Sequence, residues 1–297
     1  NANFSYKKIK LLSDKIIIAT GSDGKKKITG DIGTEKNIIN LKLFKDIFEN
    51  DLQFINDQEI TFKIKNKFSF TVQDEKIKAL KYLSKIDLDS VILNPETNLL
   101  KNYFSNYDNY VLLKNNSITL KYENKNLNIV GESEYSFGTS YNKIKYNINK
   151  KKDIYDFLTL INFDNNPIKI KLINYSKEKN KKSNLKLKGS YNKSKVKFNE
   201  ITYNEDQNFF ELKDLIFNNN FKIVDLNKIK VDYLNENNIK NEFTIKKDLT
   251  YYNLSGKSFD SYDLINDILL SDSDESFLDN FNLKDETVLN INLNKVL

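Results

Sequence analysis

Residues Asn184–Phe198 read NLKLKGSYNKSKVKF. Leu185 and Leu187 alternate with lysines, and past an Asn-Lys-Ser break Val196 and Phe198 resume the rhythm. A period of two sends the apolar side chains to one face of an extended strand and the lysines to the other. Runs of this kind, joined by polar breaks, make an antiparallel sheet with one dry face and one wet face.

The rhythm recurs along the chain. EITFKIKNKFSFTV aligns Ile60, Phe62 and Ile64, then Phe68, Phe70 and Val72. NSITLKYENKNLNIVG gives Ile118, Leu120 and Tyr122, then Leu127 and Ile129, and YNKIKYNI gives Ile144, Tyr146 and Ile148. PIKIKLI offers Ile168, Ile170 and Leu172, and NEFTIKKDLTYYNLSG offers Phe243, Ile245, Leu249, Tyr252 and Leu254. The breaks are Asn-rich (ENKN, NNN, NENN) where glycine is usual, and Asn tolerates positive φ better than other non-glycine residues. GSDGKKKITG (Gly21–Gly30) reads as a hairpin loop after KIIIAT, in preference to an anion nest.

Helical spacing interrupts the strands. Ile154, Phe157, Leu158 and Ile161 fall at i, i+3, i+4 and i+7 behind Asp153, which predicts a capped amphipathic helix. Similar spacing predicts helices over Leu41–Phe48, Ile77–Leu83, Leu100–Tyr107 and Ser258–Leu270, the last with Phe259, Tyr262, Ile265, Ile268 and Leu269 on one face. The first and the 154–161 helices each lead through an Asn/Asp turn into an alternating strand, a weak repeat that suggests modules 1–150 and 151–297 within one continuous β-rich segment. No Pro-, Gly- or Ser-rich linker separates them. The stretch SDSDESFLDNFNLKDE (271–286) reads as a surface loop.

Composition removes several function classes. The chain has 297 residues, no His and no Cys, so Ser-His-Asp chemistry, thiol nucleophiles, thiolate metal sites and the usual zinc centres are excluded unless another chain supplies the ligand. Net charge is +6, carried by lysines dispersed among Ile, Leu and Asp. That is the wet side of a sheet, not a nucleic-acid surface. There is no Met, which suggests a segment of a longer polypeptide, and no apolar run reaches the ~18–20 residues of a membrane span.

Two motifs invite chemistry and fail. In YYNLSGKSFD (Tyr251–Asp260) the Gly-Lys-Ser triplet resembles the end of a phosphate-binding loop. That loop needs glycine five residues before Gly256, where this chain has Tyr251 inside an alternating strand. The expected roles are instead architectural: Tyr252 and Leu254 continue a dry face, Gly256 releases the backbone, and Ser258 or Asp260 caps the helix. The carboxylates of DSDE (272–275) lack the spacing of an EF-hand. Paired carboxylates for glycoside hydrolysis remain open, but the Trp or His common near a sugar site is absent. The expected protein is not an enzyme and takes no cofactor or metal.

What remains is the dry face. A contiguous apolar face of this size is either covered by a second sheet or marks a binding surface. The excess of strands over helices favours a mainly β fold, a long curled sheet holding an apolar groove, with a few short amphipathic helices.

LSGKSFDSYDLINDILL, followed by a polar loop and VLNINLNKVL, resembles the periplasmic region of the bacterial AsmA/YhdP-like envelope family. NLKLKGSYNKSKVKFNEITY, FELKDLIFNNNFKIVDLNKIKVDYLNEN and DIYDFLTLINFDNNPIKIKL are similar to its strand and helix-plus-strand units. The likeness is best over residues 153–297. It implies a long twisted antiparallel sheet forming a hydrophobic groove, anchored in the inner membrane through a segment outside this sequence and reaching through the periplasm toward the outer membrane. Its partners would be phospholipid acyl chains, membranes at the ends of the full-length chain and other envelope proteins, with no nucleic acid. No catalytic residue transfers. By strand parity the groove lining would be Ile118, Leu120, Ile168, Ile170, Leu185, Leu187, Val196, Phe198, Phe243 and Ile245. The competing expectation is a structural or adhesin-like β-sandwich with a closed core.

Overall fold

The computed structural model describes residues 2–6, 9–40, 58–95, 98–220, 222–249, 251–270 and 288–296. The fold is mainly β, as the alternation predicts. Two compact units divide it: Asn1–Thr97 with Asp108–Lys152, and Asn98–Tyr107 with Asp153–Leu297.

The first unit holds β1 (Ala2–Tyr6), β2 (Ile9–Ser13), β3 (Ile16–Thr20), β4 (Lys26–Thr34), β5 (Asn37–Asn40), β6 (Glu59–Gln73), β7 (Lys76–Leu93), β8 (Val111–Glu123), β9 (Asn126–Ser136) and β10 (Tyr141–Lys151). Each neighbouring pair is antiparallel. β4 lies between β2 and β3 on one side and β6 on the other, and β6 to β10 follow as a meander. The β3–β4 turn uses Gly24 at φ 75°, but the β6–β7 and β8–β9 turns work without glycine. Asp74 and Glu75 (φ 51° and 60°) and Asn124 and Lys125 (φ 53° and 63°) put both central residues in the left-handed region, the pattern of a type I′ hairpin whose twist suits paired strands. The buried core, Ile39, Ile60, Phe62 and Val91, sits where β5, β6 and β7 meet, with Leu88, Leu93 and Leu113 packed against it.

The second unit holds β11 (Ile154–Asn162), β12 (Ile168–Ile170), β13 (Tyr175–Lys177), β14 (Ser183–Asn192), β15 (Lys195–Glu205), β16 (Asn208–Asn218), β17 (Ile223–Asp225), β18 (Lys228–Leu234), β19 (Lys240–Asp248), β20 (Tyr251–Phe259), α1 (Tyr262–Leu270) and β21 (Val288–Val296). Its ladder runs β11, β14, β15, β16, β18, β19, β20, with β17 also on β16. β20 and β21 are parallel, which departs from the all-antiparallel expectation and places α1 in the connection between them. β12 and β13 form a separate two-stranded sheet.

Several helix expectations are overturned. Residues 154–161 form β11: Tyr155, Phe157, Thr159 and Ile161 turn to one face, while Ile154, Leu158 and Leu160 are exposed. Residues 77–83 belong to the eighteen-residue β7, with Ile77, Leu80 and Leu83 exposed. Short apolar runs fit either period, and pairing against a long neighbouring strand satisfies every backbone group that a local helix would. The helix expected over 100–107 is a 3₁₀ turn at Asn98–Asn102 followed by loop, from which Phe104 and Tyr107 are buried. The helix expected at 41–48 and the loop at 271–286 lie outside the described residues. With β11 extended, the second helix-turn-strand unit of the suggested repeat has no helix.

Around Gly-Lys-Ser the expectation holds in part. The strand continues past Gly256 to Phe259, and a Cβ at Gly256 would lie 2.3 Å from the Glu242 carbonyl oxygen. Glycine there permits the close strand approach at the β19–β20 bulge and does not end the strand. Ser258 Oγ donates to the Lys240 carbonyl, whereas Asp260 Oδ1 accepts the Tyr262 amide at 3.3 Å as α1 begins. Tyr262 is 67% and Ile265 45% exposed, so the helix face expected to pack inward is turned outward there. Leu249, expected on the dry face, is 86% exposed in a turn with φ 54°.

Candidate functional site

Strand pairing in the second unit carries one apolar row across the sheet. Leu187 pairs with Ile201, Ile201 with Leu212, Leu212 with Ile229, Ile229 with Ile245, and Ile245 with Leu254. Direct cross-strand partners share a face. All but Leu254 are half-buried. A second row joins Leu185, Tyr203, Phe210, Val231 and Phe243, and a third joins Tyr191, Val196 and Phe217. A bulge between Lys188 and Gly189 keeps Phe198 on the same face, opposite Leu215.

The other parity is charged and paired. Lys186 reaches Glu200 at 3.0 Å, Lys197 reaches Asp214 at 2.8 Å, and Lys228 reaches Glu211 at 3.0 Å. Lys257, the lysine of Gly-Lys-Ser, holds Glu242 at 2.9 Å on this side. Its ammonium is raised above the ordinary lysine value by that carboxylate, so it is engaged in an ion pair.

One end of the apolar face is closed. β13 places Tyr175 over the second row, 5.0 Å from the Phe210 ring and 5.8 Å from Tyr233. Tyr175 and Tyr233 are 0% exposed. Tyr175 Oη donates to Glu205 Oε2 at 2.5 Å and Tyr233 Oη donates to the Ile173 carbonyl at 2.9 Å. Burial drives the Tyr203 phenol up to about 12, so it stays neutral. Lys177, 2% exposed, donates to the carbonyls of Phe163, Asp164, Asn166 and Glu178 at 2.9 to 3.1 Å. Desolvation lowers its ammonium from the usual lysine value, against the opposing pull of Glu205 and Asp164. The lysine ties the turn after β11 to the β12–β13 hairpin.

The first unit carries a comparable face. Ile64, Ile86, Ile118, Gly131 and Tyr146 form one row, and Asn66, Ser84, Leu120, Ile129 and Ile148 the next. A cavity of about 630 Å³ lies mainly among residues of the opposite parity, including Lys63, Lys65, Lys67, Asp31 and Asp87. It is a charged cleft and not part of the apolar row.

The structure thus gathers Leu185, Leu187, Val196, Phe198, Phe243 and Ile245 on one face of the second unit, with Phe243 buried beside Phe259. Ile118 and Leu120 lie on the face of the first. Ile168 and Ile170 do not belong to either ladder: they sit in the two-stranded β12–β13 sheet, Ile168 buried. The reason is the short run, which gives way after three residues to a 3₁₀ turn closed by Asn174 in the left-handed region. Sequence reading passed over Ile201, Leu212 and Ile229, whose places follow from register, whereas Leu254 lies on the dry face as expected. It also passed over the Tyr175 cover, for which the short YSK strand gives no periodic signal. Among the described residues no cluster of three or more Asp or Glu forms a metal-ligand group, and no helix is long and apolar enough to cross a membrane. No family model, curated protein or solved structure matches this chain.

Proposed function

We propose that the apolar faces bind phospholipid acyl chains, and that the chain is a non-enzymatic, lipid-conducting segment of a periplasmic protein anchored to the inner membrane, carrying phospholipid toward the outer membrane. The observation that carries the reading is the half-buried row Leu187, Ile201, Leu212, Ile229 and Ile245. Aliphatic side chains on a sheet interior invite an apolar cover, and each methylene laid on them contributes up to about 0.8 kcal/mol. Acyl chains need apolar area and no directional partner, which suits the aliphatic run from Leu187 to Ile245, beyond which Thr159 is the partner of Leu187 on β11. The likeness of residues 153–297 to the AsmA/YhdP-like family supports the same reading and supplies the envelope setting.

A closed adhesin-like sandwich would need a second layer over this row. The two-stranded β12–β13 sheet provides such a layer at the Tyr203–Phe210 end, and the half-burial of the Leu187–Ile245 row supports an open face there. Native mass spectrometry of the purified protein, with organic extraction of what it carries, tests the proposal. Co-purified phospholipid that is lost in Leu187→Asn with the fold retained supports it. A lipid-free protein that unfolds on the same substitution removes it.

A further inference from the structure

Tyr146 lies over an unusual partner. It pairs across β9 and β10 with Gly131, at the end of the row that contains Ile86 and Ile118. A Cβ at Gly131 would fall 2.3 Å from Tyr146 Cζ and 2.4 Å from its hydroxyl oxygen. The far end of the ring therefore lies down on the glycine instead of standing off the sheet.

Backbone geometry gives no reason for glycine here. Gly131 is not in the left-handed region, and the three nearest atoms to its missing Cβ all belong to the Tyr146 side chain. Gly189 and Gly256 differ, since each would drive a Cβ to 2.1 or 2.3 Å from a neighbouring carbonyl oxygen. Glycine inside a strand weakens it. At position 131 what it provides is a seat for the end of one ring.

The hydroxyl on that seat is open to solvent and is not used by the protein. Nearby polar groups of the same face satisfy one another: Ser133 Oγ donates to Asn116 Oδ1 at 2.7 Å, and Asn116 Nδ2 donates to the Leu88 carbonyl at 3.2 Å. Tyr146 Oη has no hydrogen-bond partner among the described residues. The residue is half-buried, and burial alone pushes its phenol above the usual tyrosine value, so it is a neutral donor. A donor on an apolar floor is stabilised by an acceptor that arrives with an apolar ligand.

We propose that Gly131 and Tyr146 form a seat for the acyl carbonyl of a bound lipid, with Tyr146 Oη donating to the carbonyl oxygen and the hydrocarbon tail lying along Ile118 and Ile86. This rests on the reading that the apolar face binds acyl chains and adds a chemical preference to it: carbonyl-bearing tails over ether-linked ones. The carbonyl can come from an ester or from a free carboxylic acid.

The test titrates the delipidated protein calorimetrically with three monomeric probes: a short-chain diester phosphatidylcholine, its diether analogue of equal chain length, and decanoic acid. The diester is expected to bind about three- to tenfold tighter than the diether, the worth of one neutral hydrogen bond. Tyr146→Phe, with an unchanged unfolding midpoint, is expected to bind the diester at the diether level. Gly131→Ala, which displaces the ring end, is expected to lose the preference as well. Tyr146 dependence with the diester alone, the acid alone or both identifies the carbonyl source, and each supports the seat. Equal binding of diester and diether by the unaltered protein, or a preference that survives Tyr146→Phe, overturns the seat and leaves acyl binding standing. Binding of none of the three overturns acyl binding and the seat together.

Discussion

Tyr203, Phe210, Val231 and Phe243 lie only two residues along their strands from Ile201, Leu212, Ile229 and Ile245. Both sets obey the same parity and face the same way. The first set lies under or beside the Tyr175 cover, with Phe210, Val231 and Phe243 buried; the second is half-buried. What separates them is the excursion between β11 and β14, where the chain leaves the ladder, makes the β12–β13 hairpin and is fixed there by Lys177. Parity decides which face is dry. A loop outside the periodic pattern decides which part of that face becomes core and which part stays a surface.

Substitutions at the two stretches should separate by size. Tyr175→Ala at the covered end is expected to cost about 3–5 kcal/mol, the range for emptying a buried aromatic site, read as a lower midpoint in urea. A cost near 1 kcal/mol would mean that the hairpin does not close that end. Lys177→Met, which strips four carbonyls of their donor, is expected to destabilise by about 3 kcal/mol. The same denaturation series reads it, and a neutral result would show that the buried lysine is dispensable. Ile201→Ala on the half-buried row is expected to cost only about 1 kcal/mol, since part of its surface is already wet. A loss of 3 kcal/mol or more there would erase the contrast between the stretches.

The smallest effect belongs to the charged face. The hydrogen bond from Lys186 holds the Glu200 carboxyl below its ordinary value of 4.5. A depressed folded pKa contributes stability that is complete above the unfolded value and is lost as pH falls through the folded one. Lys186→Met is therefore expected to cost less than about 1 kcal/mol at pH 7 and nothing near pH 2, because the pair is largely solvated. Stability curves of the two proteins that stay apart at low pH would contradict this.

These contrasts mark what could be read from the residues alone. The β class, the dry and wet faces and the Asn-Lys turn at 124–125 follow from local chemistry, and so does α1 with Asp260 ahead of it. β11 and β7 did not, because DIYDFLTLINF and KIKALKYL carry apolar residues at spacings that suit a helix and a strand alike. Pairing with β14, β6 and β8 settles them, and pairing is long-range. The row partners Ile201, Leu212 and Ile229 needed the register, including bulges that shift parity in mid-strand. The closed end was least legible: Tyr175, Lys177 and Glu205 come together only in the folded hairpin, and a buried lysine looks like any other lysine in a chain so rich in them.

The chain contains no cysteine, so a single introduced thiol reports one position without background. Ile201→Cys in the delipidated protein is the most direct probe of the half-buried row, with Phe210→Cys as the covered control. Alkylation by a small maleimide should be fast at 201 and slow at 210, and phospholipid should protect 201 while leaving 210 as it was. A thiol at 201 that is as slow as the one at 210, or that reacts at the same rate with and without phospholipid, would contradict an open acyl-binding face.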